Sequence, residues 1–264
     1  MSPSADQTCS TQVKTKNLVQ RTGILFLTYL IYASYHISRK PISIVKNSKV
    51  FLNCDQGNST TPGSCSSWIN EINGMSKDEA TEYLGLLDTS YLFSYAFFMF
   101  VSGFVAERMD LRHFLTIGMI MSGAYTFLFG FAHIANIHSI WYFIFVQLAC
   151  GMFQSTGWPG VVTVMANWFG KGKKGLIMGL WNSHTSFGNI LGSLVAGYFV
   201  NHHWGFSFLV PGIILAGMGI FVFYFLVPSP EEVQVQDPYK NLDEKYTLIT
   251  KKSSEKGYDD SARE

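Results

Sequence analysis

Residues 206–227 read FSFLVPGIILAGMGIFVFYFLV, an unbroken run without one charged side chain. A bilayer's hydrocarbon core, about 30 Å thick, needs about 20 helical residues to cross it, so Phe206–Val227 reads as a membrane span. Working back along the chain, five further apolar stretches reach that length: Thr22–Val45, Tyr83–Ala106, Phe114–Ala135, Ile140–Phe169 and Leu176–Val200. They are spans of helix rather than of strand, because barrel strands need only about 10 residues and alternate in polarity. Composition agrees. Charged residues make up 14% of the 264, against about 25% in an average soluble domain, which argues against an ordinary soluble enzyme. A net charge of +1 gives no electrostatic footprint for nucleic acid. Four Cys are too few and too scattered for a disulfide scaffold or a zinc site.

The expected fold class is therefore all-α, a polytopic membrane protein of six transmembrane helices. Residues 1–20 form a short leading segment, 21–228 the membrane domain with one long loop at 47–82, and 229–264 a tail. Four connectors, Glu107–His113, Asn136–Ser139, Gly170–Gly175 and Asn201–Gly205, are short enough to force antiparallel neighbours. Lys14, Lys16, Arg21, Arg108, Arg112, Lys171, Lys173 and Lys174 fall on one side of the membrane. The other side carries only Lys46, Lys49 and Lys77. The positive-inside bias then puts both termini in the cytoplasm. The sequon Asn58-Ser59-Thr60 in the long loop fits a lumenal or extracellular position, where Cys54 and Cys65 are able to form a disulfide. Thr22–Ser38 could also serve as a signal-peptide core. The run is long for that role, lacks an Ala-x-Ala site, and is followed by Arg39-Lys40-Pro41. The tail from Ser229, with nine acidic and six basic residues and no helical stripe, reads as a disordered segment.

Ionisable residues inside spans are costly and mark function. Here they are few: His36, Arg39 and Lys40 in the first span, Asp88 in the second, His184 in the fifth. Arg39 lies about 8 Å past the middle of its span at 1.5 Å per residue. Adjacent helical side chains diverge by some 100°, so one of Arg39 and Lys40 is expected to face the bundle and the other to snorkel outward. Asp88 reads as interfacial. His184 sits beside Asn182 and Ser183, too deep to be interfacial, as an interhelical hydrogen-bonding group or a ligand. Fixed positive charge with little negative charge to match selects anions, and arginine grips oxyanions bidentately. Gln154, Trp158 and Asn182 are candidates to line a polar path or to act as glue between helices. Gly188-x-x-x-Gly192 reads as a close-packing face, and Pro159 as a kink in the fourth span. The loop Gly170-Lys-Gly-Lys-Lys-Gly175 lacks the Gly-Lys-[Ser/Thr] order of a phosphate loop. No acid, base, nucleophile or metal constellation points to an enzyme, and no cofactor is called for.

Four stretches carry a resemblance. Gly103 followed by Glu107-Arg-Met-Asp-Leu-Arg112 resembles the loop between helices 2 and 3 of the major facilitator superfamily, a gating and packing motif in which Glu107 stands for Asp and Asp110 for Gly. Tyr35-His-Ile-Ser-Arg-Lys-Pro-Ile-Ser43, Gln154-Ser-Thr-Gly-Trp-Pro159 and Asn167-Trp-Phe-Gly-Lys-Gly-Lys-Lys-Gly-Leu-Ile-Met-Gly-Leu-Trp-Asn-Ser-His184 resemble the sugar-phosphate exchangers of solute carrier family 37. The likeness runs from about Arg21 to Glu232 and corresponds to the N-terminal half of a twelve-span fold. It implies an antiporter of the endoplasmic reticulum that exchanges a sugar phosphate, glucose-6-phosphate or glycerol-3-phosphate, for inorganic phosphate by alternating access. Arg39 matches the arginine that binds phosphate, Tyr95 a pore tyrosine, Gln154 and Asn182 polar pore positions, and Trp158 the Trp-Pro signature. Met99 stands where a bacterial relative has a binding lysine. The relative's helix-5 histidine aligns with Thr185, one residue from His184. In the full fold the phosphate is held between an arginine from each half, so this chain holds one of the two. The expected partners are phosphorylated sugar, inorganic phosphate and membrane lipid, with a homodimer or a full-length relative to complete the site. The alternative is a truncated half-transporter without activity of its own, an interaction or regulatory subunit.

Overall fold

The computed structural model describes residues 5–46, 77–169, 174–200 and 203–233. The expectations for Cys54, Asn58, Cys65 and the tail beyond 233 fall outside these. Among the described residues the chain is all-helical: α1 (Ala5–Arg39), α2 (Pro41–Val45), α3 (Lys77–Ala106), α4 (Leu111–Ile134), α5 (Ile140–Gln154), α6 (Gly157–Trp168), α7 (Lys174–Trp181), α8 (His184–Phe199), α9 (Phe206–Phe225) and a 3-10 turn at Pro230–Val233. Three helices, α3 from Glu82, α4 and α9, are each long and apolar enough to cross a membrane unaided.

The other three spans are broken. Pro41 lacks the N–H that would continue α1, so the first span restarts as α2 with the proline at its first position. The fourth span breaks at Ser155–Thr156 between α5 and α6. Pro159 cannot donate to the carbonyl of Ser155 four residues back. The Ser102 hydroxyl of α3 donates to that carbonyl instead, at 3.1 Å. The expected kink is thus a full interruption whose freed acceptor is satisfied by a neighbouring helix. The fifth span breaks at Asn182–Ser183, between α7 and α8.

Three stretches are more ordered than the sequence suggested. Helix α3 begins at Lys77, inside the segment read as loop 47–82, and α1 begins at Ala5, inside the leading segment 1–20. The turn Pro230–Val233 is held against the bundle, although the tail was expected to be disordered from Ser229. Arg112 Nε donates to the Leu226 carbonyl at 2.8 Å, its Nη2 pairs with Glu232 at 3.2 Å, and Trp168 Nε1 donates to the Val227 carbonyl at 2.8 Å.

Small residues set the closest helix approaches. A Cβ on Gly188 would lie 2.6 Å from the Ala33 carbonyl of α1, and one on Gly192 would lie 2.8 Å from Lys40 Cβ. The Gly188/Gly192 pair is therefore the surface on which α8 meets α1. Gly123 of α4 and Gly212 of α9 face each other likewise. Two apolar clusters fill the bundle. One, at the end carrying the Glu107–Asp110 loop, gathers Tyr35, Leu115, Met165, Trp168, Trp181 and Leu226; the other, at the Lys46 end, gathers Leu87, Phe129, Phe143, Trp204 and Phe208. The outward faces of α3 (Phe93, Phe97, Phe104) and α8 (Ile190, Leu194, Tyr198) are exposed and apolar.

Candidate functional site

Arg39 ends α1 between the two apolar clusters, half-buried. Its Nε donates to Gln154 Oε1 at 2.5 Å, and its Nη2 approaches the Gln154 carbonyl at 3.4 Å. Gln154, almost fully buried at the last position of α5, is held in turn. Its Nε2 donates to Ser38 Oγ at 3.0 Å, and Oε1 also accepts from the Tyr91 hydroxyl at 2.8 Å. Tyr95, one turn after Tyr91 on α3, lays its ring under the guanidinium, 4.7 Å from Arg39 Cζ to the ring centre. Such cation–π contact fixes a cation without neutralising it.

Gln154 and Tyr95, which hold Arg39, are both neutral, and among the described residues no carboxylate forms an ion pair with it. The Asp88 carboxylate pairs with Lys46 at 2.5 Å instead. A guanidinium carries five N–H donors in a planar fork, and Gln154 engages two groups of it. Among the described residues no carboxylate cancels its charge. A half-buried cation with neutral neighbours favours an incoming anion, and an oxyanion best satisfies a planar fork. A cavity of about 40 Å³ lies beside the cluster, lined by Ser38, Arg39, Asp88, Gln147, Cys150 and Gln154; it has room for ordered water.

The sequence candidates separate into three groups. Arg39, Tyr95 and Gln154 come together as one cluster. Lys40, next to Arg39, points the other way, its Cβ against Gly192 of α8, so only one of the two cations faces the cluster. Trp158, four residues beyond Gln154, is 41% exposed; its ring meets Tyr32 at 5.5 Å and Trp181 at 6.3 Å. His184 is fully buried between Trp181 and Tyr32, with ring centres at 4.3 and 4.6 Å. Asn182 is exposed at the α7–α8 break and makes no side-chain bond to the Arg39 cluster among the described residues.

The loop motif is a packing element. Asp110 caps α4 by accepting from the Arg112 N–H at 2.8 Å, which accounts for an acid at that position. Arg112 clamps the segment after α9, whereas Glu107 and Arg108 are exposed and Gly103 has open space around it. Sequence reasoning missed Ser38, Tyr91 and Tyr32, and picked out His36 without placing it beside the cluster. The signal for Tyr91 was its spacing of four from Tyr95. For Tyr32 and His36 it was their placement seven and three residues before Arg39, on one helical face.

Comparison with known proteins places these residues in a family. The model of the Major Facilitator Superfamily matches residues 54–253. The chain is 52% identical over 222 residues to the glucose-6-phosphate exchanger SLC37A2 of Mus musculus, covering 83% of this chain and 44% of that protein. It is 52% identical over 219 residues to SLC37A2 of Homo sapiens, covering 81% and 43%. With the glucose-6-phosphate exchanger SLC37A1 of Mus musculus the identity is 47% over 230 residues, again covering 81% and 43%. The chain thus spans less than half the length of these relatives.

Proposed function

The chain belongs to the Major Facilitator Superfamily, and we propose that it forms the phosphate-binding half of a sugar-phosphate exchanger. The observation that carries this reading is Arg39: a half-buried guanidinium whose partners Gln154 and Tyr95 are both neutral. Glucose-6-phosphate, for which the relatives are named, fits a site that grips the phosphate and leaves the sugar to other groups. Exchange for inorganic phosphate follows from the same fork, since both ligands present the same oxyanion. Glycerol-3-phosphate shares it too. Gln154, Tyr91 and Ser38 hold the guanidinium in place, and Tyr95 supports it from below. An endoplasmic reticulum location, carried by the family resemblance alone, and a Cys54–Cys65 disulfide belong to the same proposal, as do cytoplasmic termini and glycosylation at Asn58, which the Lys and Arg bias and the sequon support.

Uptake of labelled phosphate into phosphate-loaded proteoliposomes tests the reading, with Arg39→Ala beside the wild type. Exchange that disappears in the variant supports it, and exchange unaffected by Arg39→Ala overturns it.

A second reading is favoured by the exposed apolar faces of α3 and α8. In it the six-span unit does not transport alone. It binds phosphate and works only beside a second unit, a copy of itself or a full-length relative. Phosphate binding without exchange supports that reading.

A further inference from the structure

Away from Arg39, a second cavity of about 370 Å³ opens between α1, α6 and α9, at the end of the bundle that carries the Glu107–Asp110 loop. Its walls include Gly23, Phe26 and Leu30 of α1, Trp168 of α6, and Phe221 and Phe225 of α9. Phe26, Phe221 and Phe225 are all exposed on the outer surface, so the cavity is a groove open sideways, toward the lipid around a spanning bundle. None of its lining residues belongs to α3 or α8, the faces that favour a second unit. From Gln20 to Leu30 the groove follows ten residues of helix, about 15 Å. That is half of a hydrocarbon core of about 30 Å, the depth of one leaflet.

Two features of the groove do nothing for the fold. Gln20, its one polar side chain apart from the Trp168 indole, keeps Oε1 shut off from solvent without a hydrogen-bond partner among the described residues. The indole N–H is already given to the Val227 carbonyl. Gly23 is the second feature. A Cβ there would meet nothing within 4 Å, so no neighbouring helix requires a glycine, and glycine within a helix is destabilising relative to alanine.

A buried acceptor left unpaired is costly, and it calls for a donor. A missing side chain with no helix against it leaves a flat floor. One ligand shape accounts for both: a flat, rigid apolar body about one leaflet long, with a single hydroxyl at its end. Sterols have that shape. The fused rings lie over Gly23 between the phenylalanines, and the hydroxyl donates to Gln20 Oε1. The acyl chain of a phosphatidylcholine would fill the slot but brings no donor.

We propose that the groove between α1 and α9 is a sterol site, floored by Gly23 and read by Gln20. A sterol seated there ties α1, the helix that ends in Arg39, to α9.

Photolabelling of the purified full chain in phosphatidylcholine liposomes tests this, with a diazirine analogue of cholesterol as the probe and the labelled peptides mapped by mass spectrometry. Label is expected on residues 23–30 and 221–227, and excess cholesterol displaces it. Gly23→Leu fills the slot and is expected to cut that label about tenfold, with the melting temperature in sterol-free liposomes unchanged. Gln20→Leu, at the mouth, should cut it about fivefold, the worth of one hydrogen bond. Label that survives both variants, or that excess cholesterol does not displace, overturns the proposal. So does labelling of the same residues by a diazirine phosphatidylcholine that cholesterol leaves undiminished, which gives the groove to an acyl chain. No label there in the full chain also overturns it, and means the groove is covered by protein, the residues after Val233 included.

Discussion

Arg39 and Gln154, 115 residues apart in sequence, meet at 2.5 Å from Nε to Oε1, and each sits at the last residue of its helix, beside a break in its span. Helix ends expose backbone groups that continuous helix conceals. Here the Gln154 carbonyl approaches the guanidinium as well as the side-chain amide does. Interrupted helices are how membrane bundles bring polar atoms to a buried site.

Replacing Gln154 with a carboxylate tests whether that charge is reserved for a ligand. Gln154→Glu keeps the shape but places an anion on Arg39, where an incoming phosphate would have to displace it. Phosphate binding by calorimetry is expected to fall by about 100-fold or more, with the melting temperature held or raised. Wild-type affinity in this variant would show that the oxyanion binds elsewhere.

The α1–α8 contact makes a stability prediction. Gly188→Leu forces a side chain into the Ala33 carbonyl, and Gly192→Leu forces one into Ile37 and Lys40. Each is expected to destabilise the bundle by about 1–3 kcal/mol. Gly197, where a Cβ would meet nothing within 4 Å, should accept Leu with little change. Thermal unfolding in detergent separates the two outcomes.

The clamp on the segment after α9 is local. Arg112→Ala removes both the Leu226 and the Glu232 contacts, and Trp168→Phe removes the bond to Val227. Hydrogen exchange at residues 226–233 is expected to speed up in both variants while α4 stays protected. Unchanged exchange there would mean the turn is held by packing alone.

Lys46 and Asp88 are each about one-third exposed, so their pairing is expected to be modest. A double-mutant cycle with Lys46→Ala and Asp88→Ala should give a coupling of about 0.2–1 kcal/mol. A value of several kcal/mol would mean that the pair is desolvated, closing the cavity beside Arg39.

Much of this architecture could be read from the residues. Six apolar runs pointed to six spans, because a bilayer demands length and little else. Arg39 stood out because a cation in an apolar run needs a reason. Of the breaks, the sequence reading anticipates only the one that Pro159 marks, as a kink; it carries Thr22–Val45 across Pro41 as one span. The break at Asn182–Ser183 has no such marker. The cluster itself depends on which helix faces meet, and single-sequence spacing does not carry that. Gln154 therefore read as one polar residue among several, whereas the structure makes it the hub joining Arg39, Tyr91 and Ser38. Asn182, of similar chemistry, lies exposed and apart from it. His184 was legible as deep but not as the buried neighbour of His36.

The neutral surroundings of Arg39 also bear on the cycle of the exchanger proposed above. An empty site must carry a bare guanidinium through the occluded state, where low dielectric penalises an uncompensated charge and the transmembrane voltage acts on it at about 2.3 kcal/mol per 100 mV. A loaded site would cross with that cation paired to the phosphate. In that proposal, an arginine held without a carboxylate would make the unladen return the slow step, and traffic in one direction would depend on freight in the other.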